Sequence, residues 1–268
     1  MYCINNCGVR LSVNDLNQRG RRTILFIHGW PLSGKIFEYQ MNVLPKYDVR
    51  CVTIDLRGFG RSDKPWRGYT YDQMACDLNA VIVALNLRNI TLCGFSMGGA
   101  IAARYLCNYG SRRVKNLILM GAAAPTFIKT SENPCGMPIE QVDAMISQIY
   151  SDRPAVFESF SKKCFHKAPS ASFVDWFDGV GLASSGHGAI GGLVALRDED
   201  LCEDLEEIRV PTAILHGVHD QVCDFGMAHI MRDCIKSSTL MPFNHSGHAL
   251  FYDEKERCNQ ILLELLHQ

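Results

Sequence analysis

ITLCGFSMGGAIAARYLCNY, residues Ile90 to Tyr109, begins as an apolar run of strand length and ends as a small-residue helical pattern. At the junction, Gly94-Phe95-Ser96-Met97-Gly98-Gly99-Ala100 contains a G-x-S-x-G. That pattern alone is weak, because glycine and serine are common residues. Its place between a strand and a helix is what a nucleophile elbow requires. Such a turn forces Ser96 into a strained backbone conformation, and the flanking glycines remove the Cβ clashes that would forbid it. The blander reading is an ordinary glycine-rich strand-to-helix turn.

A serine hydroxyl is a poor nucleophile until a base, itself oriented by an acid, takes its proton. The expected chain order is Ser, then Asp, then His, with acid and base each following a later strand. His216-Gly217-Val218-His219-Asp220 follows the apolar run Thr212–Leu215, and Ser246-Gly247-His248 follows Ser238–Pro242. Ser96, Asp220 and His248 are therefore the candidate nucleophile, acid and base. Asp224 is a rival acid deeper in the following segment, and His245 a rival base. After the strand that follows the serine helix, the sequence reads Gly121-Ala122-Ala123-Ala124-Pro125, with no carboxylate to serve instead. The pairs His216/His219 and His245/His248 lack a further ligand cluster, so no metal is expected.

A negative oxygen formed by attack on a carbonyl needs preorganised donors. The backbone N–H of Met97, at the start of a helix, is one candidate. The loop His28-Gly29-Trp30-Pro31 after the first core strand supplies the other, at Trp30; the indole itself could simply pack beneath a covering element. The glycine-rich stretch from Asp55 to Asp63 lacks the spacing of either nucleotide-binding loop and reads as a structural turn with paired charges.

Six short apolar segments predict buried strands: Thr23–His28, Arg50–Asp55, Ile90–Phe95, Val114–Gly121, Thr212–His216 and Ser238–Pro242. Amphipathic stretches at Asp72–Leu87, Gly99–Tyr109 and Met227–Cys234 alternate with them. The alternation predicts an α/β class, a doubly wound, mostly parallel sheet with right-handed crossovers. Met1 to Asn17 reads as an antiparallel hairpin leading into it. From Ala124 to about Asp204 only helical patterns appear, at Pro138–Tyr150, Arg153–Lys162, Ser172–Phe177 and His187–Ala195. A stretch that long is no loop, so a core of residues 1–124 and 205–268 with a helical cap at 125–204 is expected.

The chain has 268 residues and a formal net charge of −1, which gives nucleic acid or an anionic membrane no bulk attraction. No apolar run reaches the ~18 residues of a membrane span, and no signal peptide is read at the N-terminus. The twelve cysteines are scattered and form no C-x-x-C, which points to reduced thiols and a cytoplasmic protein. Nothing in the sequence fixes an oligomeric state.

Taken together, H-G-W-P at His28–Pro31, D-L-R-G-F-G-R-S-D at Asp55–Asp63, G-F-S-M-G-G at Gly94–Gly99 and the Asp220 and His248 motifs resemble the α/β-hydrolases, in particular their cofactor-free haloperoxidase and aryl-esterase branch. The resemblance covers about residues 20–124 and 205–260 and weakens in the cap. It implies an α/β-hydrolase fold and hydrolysis of small carboxylic esters through an acyl-enzyme, with side perhydrolysis and no cofactor. It implies nucleophile, acid and base at Ser96, Asp220 and His248 and oxyanion donors at Trp30 and Met97. A lactonase or a carbon–carbon bond hydrolase would use the same residues, and a ligand receptor on a hydrolase scaffold is a further alternative.

Overall fold

Apolar residues on both faces of a strand demand cover on both sides, and that requirement shapes the core. The computed structural model describes residues 2–267; Met1, the first residue of the expected hairpin, lies outside them. The chain runs β1 (Tyr2–Asn6), β2 (Val9–Leu16), β3 (Arg22–Ile27), α1 (Glu38–Met41), β4 (Val49–Ile54), α2 (Tyr71–Ala84), β5 (Ile90–Phe95), α3 (Met97–Tyr109) and β6 (Val114–Met120). After β6 come α4 (Ile139–Cys164), α5 (Ala171–Leu182), α6 (Gly186–Asp198) and α7 (Cys202–Glu206). The chain then returns as β7 (Thr212–Gly217), α8 (Phe225–Cys234), β8 (Ser238–Phe243), α9 (Leu250–Asp253) and α10 (Lys255–His267).

The eight strands form one sheet in the order β1-β2-β4-β3-β5-β6-β7-β8. β3 to β8 pair in parallel, while β1 and β2 are an antiparallel hairpin added at the β4 edge. Every residue of β5 and β7 is buried, as continuous apolar runs require. α2 starts at Thr70, whose side chain accepts from the Gln73 N–H, and buries Met74, Leu78, Val81 and Ile82, a stripe at helical spacing.

Between β6 and β7 the regular elements are helices, preceded by an irregular stretch over 121–138 that holds an isolated bridge between Ile128 and Met137. α4 breaks at Asp152, whose φ of −149° and ψ of 75° are not helical. Pro154 follows, and the Asp152 carboxylate accepts from the Ala155 N–H at 3.1 Å, so it caps the second half as an N-cap should. Sequence periodicity places two helices here for that reason. α10 has no counterpart in the sequence reading, although its buried Cys258, Leu262 and Leu266 repeat at four-residue spacing. All twelve thiols are free. Among the described residues, no single helix is long and apolar enough to cross a membrane.

Within the Asp55–Asp63 turn the Asp55 carboxylate accepts from the Arg61 N–H at 2.9 Å, while Arg57 and Asp63 reach outward. Arg57 makes a bidentate bridge to Asp77 on α2, at 2.5 and 2.7 Å, and Asp63 pairs with Arg10. Asp77 is fully buried and also accepts from Asn6 on β1 at 2.7 Å. Removing one partner of a buried pair strands the other charge, at a cost of about 3–5 kcal/mol. Asp77→Ala should therefore lower the thermal midpoint by roughly 10 °C in calorimetry. A shift below about 2 °C would show that the bridge contributes little.

Candidate active site

Ser96 is the residue between β5 and α3, with φ 54° and ψ −124°. Its backbone is clamped on both sides. Ser96 N–H donates to Met120 O at 3.0 Å, and Ser96 O accepts from Gly99 and Ala123 at 2.8 and 3.1 Å. A Cβ on Gly94 would run into the Gly98 carbonyl, and one on Gly98 would strike the end of β3 at Ile27. The glycines let α3 leave the sheet this sharply, and a non-glycine at positive φ costs on the order of 1–3 kcal/mol.

Asp220 lies in the turn after β7, and His248 in the segment between β8 and α9. His248 Nδ1 donates to Asp220 Oδ2 at 2.7 Å, and both side chains are completely buried. Asp220 Oδ1 accepts from the Val222 and Cys223 N–H groups at 2.8 Å each. The fourth neighbour is His216, at the end of β7. Its Nε2 lies 3.3 Å from Asp220 Oδ2 and 2.8 Å from Cys223 O. Because a carbonyl can only accept, Nε2 is the protonated nitrogen of that ring. Burial would raise the Asp220 pKa, but the imidazoles of His248 and then His216 outweigh it and hold the carboxyl well below the ordinary range. With Nδ1 committed to Asp220, His248 Nε2 is left buried and without a hydrogen-bond partner. The His248 ring packs on Phe95, the residue before Ser96, with centroids 4.6 Å apart.

Trp30 lies in the loop after β3, and Met97 is the first residue of α3, directly after Ser96. A Cβ on Gly29 would lie 2.6 Å from Ser96 Cβ, so the Gly29-Trp30 backbone runs directly against the serine. Neither the Trp30 nor the Met97 N–H is bonded to an acceptor among the described residues. The loop is fixed from behind by His28, which is fully buried. Its Nε2 accepts from the Leu56 N–H at 2.9 Å, so Nδ1 carries the proton and donates to Gly29 O at 2.8 Å. Burial lowers the His28 pKa, which keeps that donor–acceptor pattern intact. The Trp30 indole also ties the loop to the cap, donating to Ala189 O at 2.8 Å.

Ser96 opens on a cavity of about 270 Å³ roofed by α4 and α6, two of the helices between β6 and β7 that the sequence predicts as a cap. Ala144, Met145 and Gln148 on the first half of α4, and Val156, Ser159, Phe160 and Lys163 on the second, line it at helical spacing. The structure thus brings Asp220 and His248 into contact and sets Ser96 and Trp30 on one cavity, while among the described residues no hydrogen bond joins Ser96 to His248. It leaves the rivals apart. Asp224 caps α8 by accepting from Gly226 N–H at 2.7 Å. His245 is exposed and is anchored only through its backbone, to Glu254 at 2.9 Å. No group of three metal-ligating side chains occurs among the described residues. Sequence reasoning missed the roles of His216 and His28. The four-residue spacing of His216 and Asp220 was the available signal for the first; the second depends on a bond between neighbouring strands.

A family model described as alpha/beta hydrolase fold matches residues 22–255. The chain is 47% identical over 256 residues to the AB hydrolase superfamily protein YisY of Bacillus subtilis, across 96% of this chain and 95% of that one. It is 30% identical over 273 residues to the bifunctional esterase/perhydrolase DCH of Acinetobacter calcoaceticus, across 99% of each. The esterase EaEST from Exiguobacterium antarcticum superposes with a TM-score of 0.97 at 41% identity, covering 99% of both chains.

The lowered Asp220 pKa fixes the sign of a pH effect. A carboxyl with a depressed folded pKa contributes stability above its unfolded value near ~4, and loses it as pH falls toward the folded value. The stability gap between the wild type and Asp220→Asn, from urea unfolding, should therefore narrow from pH 6 to pH 3. A gap independent of pH would contradict a carboxylate held ionised at Asp220.

Proposed function

The chain belongs to the α/β-hydrolase family, and we propose that it is a serine esterase that cleaves small or medium carboxylic esters through an acyl-enzyme on Ser96. The observation that carries this reading is the Asp220–His248 contact of 2.7 Å, which commits one ring nitrogen and leaves the other a free base. His248 Nε2 takes the Ser96 proton as Oγ attacks the ester carbonyl. The oxygen of the resulting tetrahedral adduct receives the Trp30 and Met97 N–H groups, and the N-terminus of α3 adds its dipole. Asp220, saturated with donors, stays ionised and stabilises the imidazolium. That imidazolium then protonates the departing alcohol. Water, deprotonated by His248, attacks the acyl-enzyme, and the carboxylic acid leaves as Ser96 regains its proton. The sequence calls for no metal or organic cofactor.

The cavity volume, about 270 Å³, sits at the lower end of ligand pockets and favours small or medium esters. Hydrogen peroxide in place of water would give a peracid. The similarity to a relative named a bifunctional esterase/perhydrolase favours that side reaction. A lactonase or carbon–carbon bond hydrolase would use the same groups, and a ligand receptor would keep them without rapid turnover. Free thiols throughout suit a reducing compartment, and we place the protein in the cytoplasm.

Ser96→Ala should lower hydrolysis of a simple aryl ester by about three orders of magnitude or more, leaving what binding and the oxyanion donors supply. Peracid formation should vanish with it. Asp220→Asn should be severely impaired and Asp224→Asn close to wild type. Retention of a tenth of wild-type activity by Ser96→Ala would overturn the nucleophile assignment.

A further inference from the structure

The cavity over Ser96 is chemically divided. Its depth is apolar, with Trp30, Phe160, Leu193 and Leu196 buried around the serine. Its mouth carries five polar side chains, Gln141, Gln148, Ser159, Lys163 and Gln221, all of them exposed. Of the described residues lining it, only Lys163 bears a formal charge, and no carboxylate is among them. Elsewhere over residues 125–204, Lys129 and Lys167 do not line the cavity, and three further cations have partners. Lys162 pairs with Glu158 and Arg197 with Asp143 and Asp198, while Arg153 donates to Ser184 O at 2.8 Å. Lys163 makes no ion pair or hydrogen bond among the described residues. The side chains of the three glutamines at the mouth likewise make none.

This is a cation with neutral donors beside it, separated from the nucleophile by apolar wall. We propose that the mouth is a carboxylate subsite, with Lys163 as its cation, and that the preferred substrates are esters carrying a second, ionised carboxyl beyond an apolar spacer. The scissile carbonyl sits at Ser96, the spacer lies along the aromatic and aliphatic wall, and the remote carboxylate meets the ammonium. A neutral ester of equal length fills the same wall but leaves Lys163 unpaired. A basic substrate is repelled. The inference rests on Ser96 being the nucleophile for the turnover it predicts, but not for the binding it predicts.

The test compares ethyl hexanoate with monoethyl adipate, which differ only in the terminal carboxylate, by titrating released acid at constant pH. The acetate ester of 6-hydroxyhexanoate carries the carboxylate on the alcohol side and shows which half of the ester reaches the mouth. Wild type should favour at least one charged ester over the neutral one. Lys163→Gln should lower that preference about five-fold in kcat/KM, through KM, as expected for a rim ion pair, and Lys163→Glu should lower it further. High salt should erode the preference in the wild type. A charged-to-neutral ratio unchanged by both substitutions would overturn the proposal. Calorimetric binding to Ser96→Ala separates the two readings. If the charged ester that the wild type prefers binds more weakly once Lys163→Gln is added, the subsite stands whatever becomes of turnover; if neither charged ester does, the subsite falls even with the esterase intact.

Discussion

A backbone held at φ 54° and ψ −124° is strained for any residue but glycine, and Ser96 keeps it because its surroundings leave no relaxed alternative. Its N–H is bound to the end of β6 and its carbonyl to the residues that follow on either side. The glycines at 94 and 98 bring α3 so close to the sheet that no side chain fits between them. Strain and close packing together raise the serine above the carboxyl edge of the sheet. That edge is also where the turns after β7 and β8 deliver Asp220 and His248, as open parallel sheets place their sites.

Around that fixed point the remaining groups are positioned by saturation. Asp220 has donors on both oxygens, two from backbone and two from imidazoles, so it can neither rotate nor readily protonate. His28 does the same for the Gly29-Trp30 loop by spending both ring nitrogens on backbone. The Trp30 indole then couples this loop to the cap through Ala189. The loop beside the serine is thereby tied to α6, whose Leu193 and Leu196 line the cavity.

The placements of Ser96, Asp220 and His248 were legible because each sits in a short turn whose local sequence announces a strand end. The buried strands were legible because their apolar runs admit no other burial, with one exception: β8, expected to be buried, is the edge strand of the sheet and buries only Phe243. The role of His28 was not legible, because an isolated histidine says nothing of which backbone it will meet across a sheet; His216 was missed although its four-residue spacing to Asp220 was visible. The lining of the cavity was half legible. The i, i+3, i+4, i+7 spacing of α4 was visible in sequence, but not which face would turn toward Ser96. The break at Asp152 reorients the second half of that helix, and only the packed cap decides the result.

The account stands on Ser96 being an activated nucleophile rather than a strained structural serine. A fluorophosphonate reagent, which phosphonylates such serines, followed by mass spectrometry of the tryptic peptide from Asn89 to Arg104, tests this directly. One adduct on Ser96, formed rapidly by the wild type and lost in His248→Ala, is the predicted result. An unlabelled peptide, or label on another residue, would contradict it.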